Sequence, residues 1–442
     1  MIKNLHYILL FAFFSNGLFA ANLSEAMKMA FDNNFDFKSK VETFNADFAY
    51  KGLANSYLLP QLNLQGNAAV DQANKDYAEQ TSRNISYGMG DSQNYGLSLN
   101  LVQPLYNPSA WAYSSQSKLM AQRAQIVLDK EKNNLILKVA ESYFSVLAAQ
   151  DDLESSQAQI EYLDKYMQEI SKKAAIGQAR KVDVDEVRAK YQLAKYNNLV
   201  MENNLKVQMD ALNKLLNSNI TAISRLNGDI SKIEIEDQDI AKWKERSREQ
   251  NLDILATQLS VRLAEKDVSI ATASYYPTIN LVGSVGLNGG RDPIVADKFT
   301  GRNASVGLTL NMSLYAGGAT RAQSKQAQFR KNSADYALKE LENSIENLTI
   351  QYYLNVVNGL SQIEALHQSL ISSERFLQAA QQSYSVGLKT TTDVLIATDT
   401  FFSSKRDYTK SKYNYLLSIL ALRAVSGEIS NEDITLINSF LE

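Results

Sequence analysis

The five prolines of this 442-residue chain fall in two windows, and their placement restricts the fold more than any other feature. Pro60, Pro104 and Pro108 lie in one window and Pro277 and Pro293 in the other. Proline breaks helix interiors, so the tracts outside these windows are free to be helical. From Ser109 to Ile176 there is neither Gly nor Pro, and Val139, Val146, Leu153, Ile160 and Met167 recur at seven-residue steps. That is the seam of a coiled coil. The companion positions Ser142, Ala149, Ser156, Leu163 and Ile170 begin small, which lets neighbouring helices approach closely. A helix of roughly 68 residues would be on the order of 100 Å long, far longer than a globular domain needs. A second tract, Ala319 to Tyr384, has nearly the same length and is interrupted only by Gly359.

The two halves follow one plan. Tyr57-Leu58-Leu59-Pro60-Gln61-Leu62-Asn63-Leu64 matches Tyr275-Tyr276-Pro277-Thr278-Ile279-Asn280-Leu281, and Tyr95 to Leu101 matches Ser305 to Met312. Gly177, with Asp183-Val184 following, matches Gly387 with Asp393-Val394 following at the same spacing. Strand windows and helical turns therefore repeat together, so the chain is an internal duplication.

Each proline window carries a pair of alternating segments. Tyr95, Leu97, Leu99 and Leu101 interleave with Gly96, Ser98 and Asn100, while Val306, Leu308, Leu310, Met312 and Leu314 interleave with Gly307, Thr309, Asn311 and Ser313. Their partners are Leu62 to Val70 and Ile279 to Leu287, and the polar stretches Asp71 to Gln93 and Asn288 to Arg302 are expected as loops. Period-two alternation over about ten residues fits a strand with one lipid face and one wet face. Tyr57, Tyr106, Trp111, Tyr113, Tyr275, Tyr276 and Tyr315 gather where the strands meet the helices, as the aromatic girdle of a membrane barrel does. A soluble sandwich of hairpins is the alternative. Four strands cannot close a barrel, and an open sheet in lipid leaves unsatisfied backbone groups, so several chains must share one barrel. Three copies would supply twelve strands.

Export is read at the start of the chain. Lys3, the apolar run Tyr7 to Phe14 and the small residue of Leu18-Phe19-Ala20 form a secretory signal, residues 1–20, with the mature chain starting near Ala21. No later stretch is apolar enough to span a bilayer as a helix, so any membrane insertion must use strands. The chain has no cysteine, which removes disulfides, thiolate metal sites and a lipid-anchor cysteine. Lys plus Arg number 45 against 48 Asp plus Glu, so nothing points to nucleic acid. Of the two histidines, His6 lies in the signal and His367 is expected to be a packing residue, because metal sites need several converging ligands. No Walker, Rossmann or G-x-S-x-G pattern sits in the required context, so neither an enzyme nor a cofactor is expected.

The signal, the Asn22-Leu23-Ser24-Glu25-Ala26 start, two Pro-preceded strand pairs and the segment Tyr384-Ser385-Val386-Gly387-Leu388-Lys389-Thr390-Thr391-Thr392-Asp393-Val394-Leu395 together resemble the TolC-like outer-membrane efflux family. The resemblance covers essentially the whole mature chain, Gly427 to Leu441 included. It implies an α+β fold: a trimeric outer-membrane β-barrel with four strands per chain, continuing into a long α-helical coiled-coil periplasmic tunnel. The expected organisation is a first repeat at 21–218 with strand pair 61–105, an equatorial linker at 219–250, a second repeat at 251–425 with strand pair 278–315, and a C-terminal equatorial segment at 426–442. The implied partners are two further copies of the chain, outer-membrane lipid, a periplasmic adaptor, and an inner-membrane efflux pump or ABC transporter, for export of drugs, toxins or proteins. Gly177, Gln178, Gly387 and Leu388 would be the adaptor-docking tips. Asp183, Tyr384 and Lys389 would link neighbouring hairpins into a gate, and Asp393 would form an acidic ring at the mouth. Val182 and Lys389 depart from the family's more usual hydroxyl residue and Arg, and Ile396 replaces a second ring acid. A periplasmic adaptor, a coiled-coil surface protein and a periplasmic hydrolase are the rival readings. The first would show one hairpin, the second strands at one end only, and the third a catalytic constellation.

Overall fold

The computed structural model describes residues 20–76, 87–227, 230, 233, 238–291, 298–427 and 429–441. The signal at 1–20 lies outside these residues except for Ala20. The chain forms two compact units, and each takes segments from both halves of the duplication.

The first unit contains most of α2 (Phe35–Ser56) and α6 (Leu252–Ala273) and a single four-stranded antiparallel sheet, β1 (Gln61–Asp76), β2 (Tyr87–Tyr106), β3 (Thr278–Arg291) and β4 (Lys298–Asn311), in chain order. β2 and β3 come from different repeats and pair with each other, so the duplication builds one continuous sheet. Strands outrun the alternation that announced them: β1 and β2 pair from Gln61↔Val102 out to Asp76↔Tyr87, and β3 and β4 pair out to Arg291↔Lys298. The stretches 71–93 and 288–302 are therefore strand for much of their length, not loop. Ladder hydrogen bonds satisfy the backbone whatever the side chains, so pairing continues after the apolar pattern stops. The opposite error occurs at 312–315, where β4 has already ended. Gly317 and Gly318, at φ 61° and 84°, turn the chain there into the next helix. A register shift between Pro104 and Tyr106 marks where proline, lacking an N–H, cannot continue the ladder.

The second unit holds the helical hairpins: the later part of α3 (Pro108–Ala175) with α4 (Lys181–Leu216), and the later part of α7 (Ala319–Ser385) with α8 (Thr391–Val425). α1 (Leu23–Asn33), α5 (Ile240–Gln250) and α9 (Asn431–Asn438) join them. The Asn22-to-Ala26 motif is a capping box: Asn22 Oδ1 accepts from the Glu25 N–H at 2.9 Å and Glu25 accepts from the Asn22 N–H at 3.0 Å. Isolated bridges tie Ala21 to Ile223 and Leu226 to Leu441. The fully buried Tyr143 sets its hydroxyl 3.0 and 2.9 Å from the Ala21 and Ser224 carbonyls, fixing this belt to α3. Asn133 and Asn251 donate to the carbonyls of Gly427 and Val425 at 2.9 and 2.8 Å. The two asparagines satisfy carbonyls at the end of α8 and just beyond it, which have no further helical turn to bond to. Gly359 has a reason to stand inside α7: a Cβ there would meet the Tyr415 ring at 2.6 Å, and the Tyr415 hydroxyl donates to the Ile233 carbonyl at 2.6 Å. His367 stacks on Tyr408, with ring centroids 5.0 Å apart.

Candidate functional site

Both helical hairpins reverse by the same device. The Gly177 N–H bonds to the Ala174 carbonyl and the Gln178 N–H to the Lys173 carbonyl; Gly387 and Leu388 repeat the pattern with Tyr384 and Ser383. This is the Schellman ending, and it requires a left-handed residue, supplied by Gly177 and Gly387 at φ 79° and 78°. A Cβ at either glycine would touch nothing within 4 Å. The demand is therefore on backbone conformation and not on space. Ile176, Val182, Val386 and Leu388 stand exposed around these turns, Leu388 at 80%. Apolar side chains gathered in the open at a helix tip mark a contact surface. Gln178 is exposed at the position equivalent to Leu388 but carries an amide in place of an isobutyl group.

Behind the turns the four helices share a core that includes Leu163, Ile170, Val187, Ala380, Val394 and Leu395. Tyr384 packs edge-on against Tyr166, centroids 6.1 Å apart, and Lys173 lies 5.0 Å from the Tyr384 ring centre. The two turns flank a cavity of about 670 Å³, lined among others by Lys173, Arg180, Asp183, Tyr384, Lys389 and Thr391.

The expected link from Asp183 to Tyr384 and Lys389 is not made within the chain. Asp183, only 6% exposed, is forked by Arg180, which approaches through Nε at 3.1 Å and Nη2 at 2.7 Å while its backbone N–H donates at 3.0 Å. Arg180 begins the same helical turn, so its guanidinium reaches the carboxylate without any motion between hairpins. Hydrogen bonding from Arg180 holds the Asp183 carboxyl below the usual carboxylate range. Lys389 instead lies 4.6 Å from the Phe376 ring centre. Asp393 occupies the position in α8 that Asp183 holds in α4, the third residue of its helix. It accepts from the Thr390 N–H and hydroxyl, each at 2.7 Å, and these bonds hold its carboxyl below the usual carboxylate range. Both aspartates thus serve as helix-start acceptors.

Residues that sequence reasoning missed join the hairpins laterally. Thr392 donates to Glu186 at 2.8 Å, and Lys190 meets Asp399 at 2.7 Å, linking α4 to α8. Only the duplication gave a hint of them, since it places the first turns of α4 and α8 in equivalent positions.

In the other unit, antiparallel pairing puts the strand alternation into register. One face carries Leu62 and Leu64 on β1, Leu97, Leu99 and Leu101 on β2, Val285 and Leu287 on β3, and Val306, Leu308 and Leu310 on β4. These side chains are largely exposed, Val306 at 82%. The opposite face is amide- and hydroxyl-rich. Asn67 lies over Gly96, Asn303 over Gly286 and Asn288 over Gly301, each glycine leaving room that a Cβ would fill at 2.5 to 2.7 Å. Leucines facing outward across four strands can be stable only against lipid or protein. At the sheet end where β1 and β3 begin and β2 and β4 finish stand Tyr57, Tyr106, Trp111, Tyr113, Tyr275, Tyr276 and Tyr315. Tyr106 and Trp111 meet edge to face at 5.1 Å, and Tyr315 is 87% exposed.

The sequence profile of the outer membrane efflux protein family matches residues 26–218 and 243–428. Outer membrane protein TolC of Vibrio cholerae serotype O1 is 27% identical over 432 residues, covering 97% of this chain and 95% of that protein. The alkaline protease secretion protein AprF of Pseudomonas aeruginosa is 22% identical over 95% of this chain and 87% of its own length. Among solved structures, the outer membrane protein VceC of Vibrio cholerae superposes with a TM-score of 0.77 at 18% identity, covering 92% of this chain and 96% of that one. Matched on both halves of its duplication, this chain belongs to the outer membrane efflux protein family and resides in the outer membrane, extending into the periplasm.

Proposed function

We propose that three copies of the chain close a single twelve-stranded barrel and act as the exit duct through which an inner-membrane pump or ABC transporter, coupled by a periplasmic adaptor, discharges drugs or proteins. The observation that carries this reading is the sheet, in which β1 and β4 each pair on one side only while one face carries leucine and valine on all four strands. An unpaired edge in hydrocarbon costs several kcal/mol per backbone group, so β1 of one copy pairs with β4 of the next. The amide-rich face then lines the water-filled lumen, with Asp71 toward its outer end. A lumen with so little charge suits varied cargo, and selection falls to the pump.

The helical tips, with Gly177, Gln178, Gly387 and Leu388, are the adaptor contact. Leu388 offers apolar area that Gln178 lacks, so the second hairpin contributes more. Asp183, Tyr384, Lys389 and Asp393 form the mouth, and Arg180 belongs with them as the competitor for the Asp183 carboxylate. In this reading Lys389 and Tyr384 of one hairpin draw Asp183 of a neighbouring copy, against the local hold of Arg180. Replacing Gly387 with Trp tests the docking role. Efflux should be abolished while folded trimer stays in the outer membrane; normal efflux with Trp at this position would remove tip docking from the account.

A further inference from the structure

The leucine face of the sheet changes character at the hairpin end of β3 and β4. Successive cross-strand rows run Leu62–Leu101–Gly283–Val306, then Leu64–Leu99–Val285–Ala304, then Gly66–Leu97–Leu287–Arg302. Next come Ala68–Tyr95–Gly289–Thr300 and Val70–Gln93–Arg291–Lys298. Directly opposed residues of an antiparallel pair share a face, so Arg302, Arg291 and Lys298 lie on the side of the leucines and not on the amide side. All three are exposed. Among the described residues no carboxylate forms an ion pair with any of them; the acids that the register puts on this face, Asp91 and Asp76, stand one and three rows further out.

The rows also fix depth. From the Leu310 row to the Thr300 row β4 rises about 33 Å. At the usual barrel tilt of roughly 40° this covers about 25 Å, the height of the apolar band of an outer-membrane barrel. Tyr95, whose ring lies over Gly289 where a Cβ would meet it at 2.6 Å, closes that band as an interfacial aromatic. Arg291 and Lys298 stand one row beyond it, at headgroup level. Arg302 stands one row inside and can extend its guanidinium outward past the aromatic level. Like charges directly opposite on one strand pair repel, and Arg291 faces Lys298 in that way. An anion between them relieves the repulsion, and the phase in contact with this face supplies it.

We propose that Arg291, Lys298 and Arg302 form a lipid-facing binding site for the phosphate groups of an outer-leaflet glycolipid such as lipid A, seating each copy of the chain at a fixed depth. Arg is suited to grip phosphate through paired N–H groups, with Lys as a point charge beside it. The site rests on the outward orientation of the leucine face given above.

The test uses purified, detergent-solubilised wild-type protein. Binding of bisphosphorylated, monophosphorylated and phosphate-free lipid A is counted by native mass spectrometry, with inorganic phosphate as the arm for a free ion. The same series is run on K298Q and on the triple variant R291Q/K298Q/R302Q. A cation near an anionic lipid surface contributes about fivefold in affinity, so the triple variant should bind bisphosphorylated lipid roughly 100-fold more weakly. K298Q should lie between, and wild type should prefer two phosphates over one and one over none. Equal binding of phosphate-free and bisphosphorylated lipid by wild type overturns the proposal without any variant, so it stays testable if the triple variant does not fold. Unchanged binding in a folded triple variant overturns it as well. Saturation by millimolar inorganic phosphate with no lipid preference would replace the lipid site by a simple anion site. Failure of the barrel reading would look different: wild-type protein would then be a water-soluble monomer in every arm.

Discussion

Asp183 and Asp393 are the same residue of the duplicated plan, held by different partners, and the difference has consequences at the mouth. Thr390 caps α8 with a neutral hydroxyl, whereas Arg180 brings a full charge to Asp183. If Arg180 competes with Lys389 and Tyr384 of a neighbouring hairpin, the two substitutions R180Q and D183N should move the channel in opposite directions. R180Q frees the carboxylate, tightens closure and lowers single-channel conductance in a planar bilayer. D183N removes the carboxylate charge and raises it. Changes of the same sign in both variants would show that the fork only stabilises the start of α4. The pH dependence follows from the lowered pKa of Asp183. An acid whose folded pKa is depressed contributes its interaction above the unfolded value, about 3.9, and loses it as pH falls through the lower folded value. Conductance governed by Asp183 should therefore be flat from pH 7 to 5 and rise only in acid below the ordinary carboxylate range. The turn glycines were legible in the sequence because spacing alone exposes them. Arg180 was not, since an arginine at a helix start resembles any solvated charge until the chain folds it onto the acid three residues ahead.

At the scale of elements, the helices and strands were legible and their limits less so. The seven-residue series through α3 is buried at Val139 and Val146, but toward the tip Leu153, Ile160 and Met167 are half-buried while Ala149, Ser156, Leu163 and Ile170 take over the core. An α-helix drifts about 20° per heptad against a 3.5-residue repeat, so one line of positions cannot stay inside along the whole tract. The strands overran their alternation because pairing answers to backbone hydrogen bonds. Gly359 was read as an interruption, and the structure makes it a contact. In an exposed helix Gly→Ala would stabilise by up to about 1 kcal/mol. Here G359A forces a Cβ against the buried Tyr415 ring, an overpacking that costs about 1–3 kcal/mol. Thermal unfolding should show a lower Tm for G359A, partly recovered when Tyr415 is also shortened to Leu. A raised Tm would mean that α7 and α8 can part at no cost.

For the whole molecule, the duplication was legible as matched prolines, glycines and alternating segments, and the need for several chains followed from counting strands. What the sequence could not supply was the order of the sheet. The alternating segments are equally compatible with two separate hairpins, whereas in the fold β2 pairs with β3 and leaves β1 and β4 as the edges. Those edges make assembly a geometric requirement, and the chain's lack of cysteine makes the requirement simple to test. A cysteine at Val306 or Leu308 on β4, combined in one chain with a cysteine at Leu62, Leu64 or Gly66 on β1, is oxidised in the native outer membrane and run on a non-reducing gel. At least one register should give covalent dimers and trimers, with a native mass of three chains and nothing larger. Monomer alone at every register, together with a native mass of one chain, would contradict it.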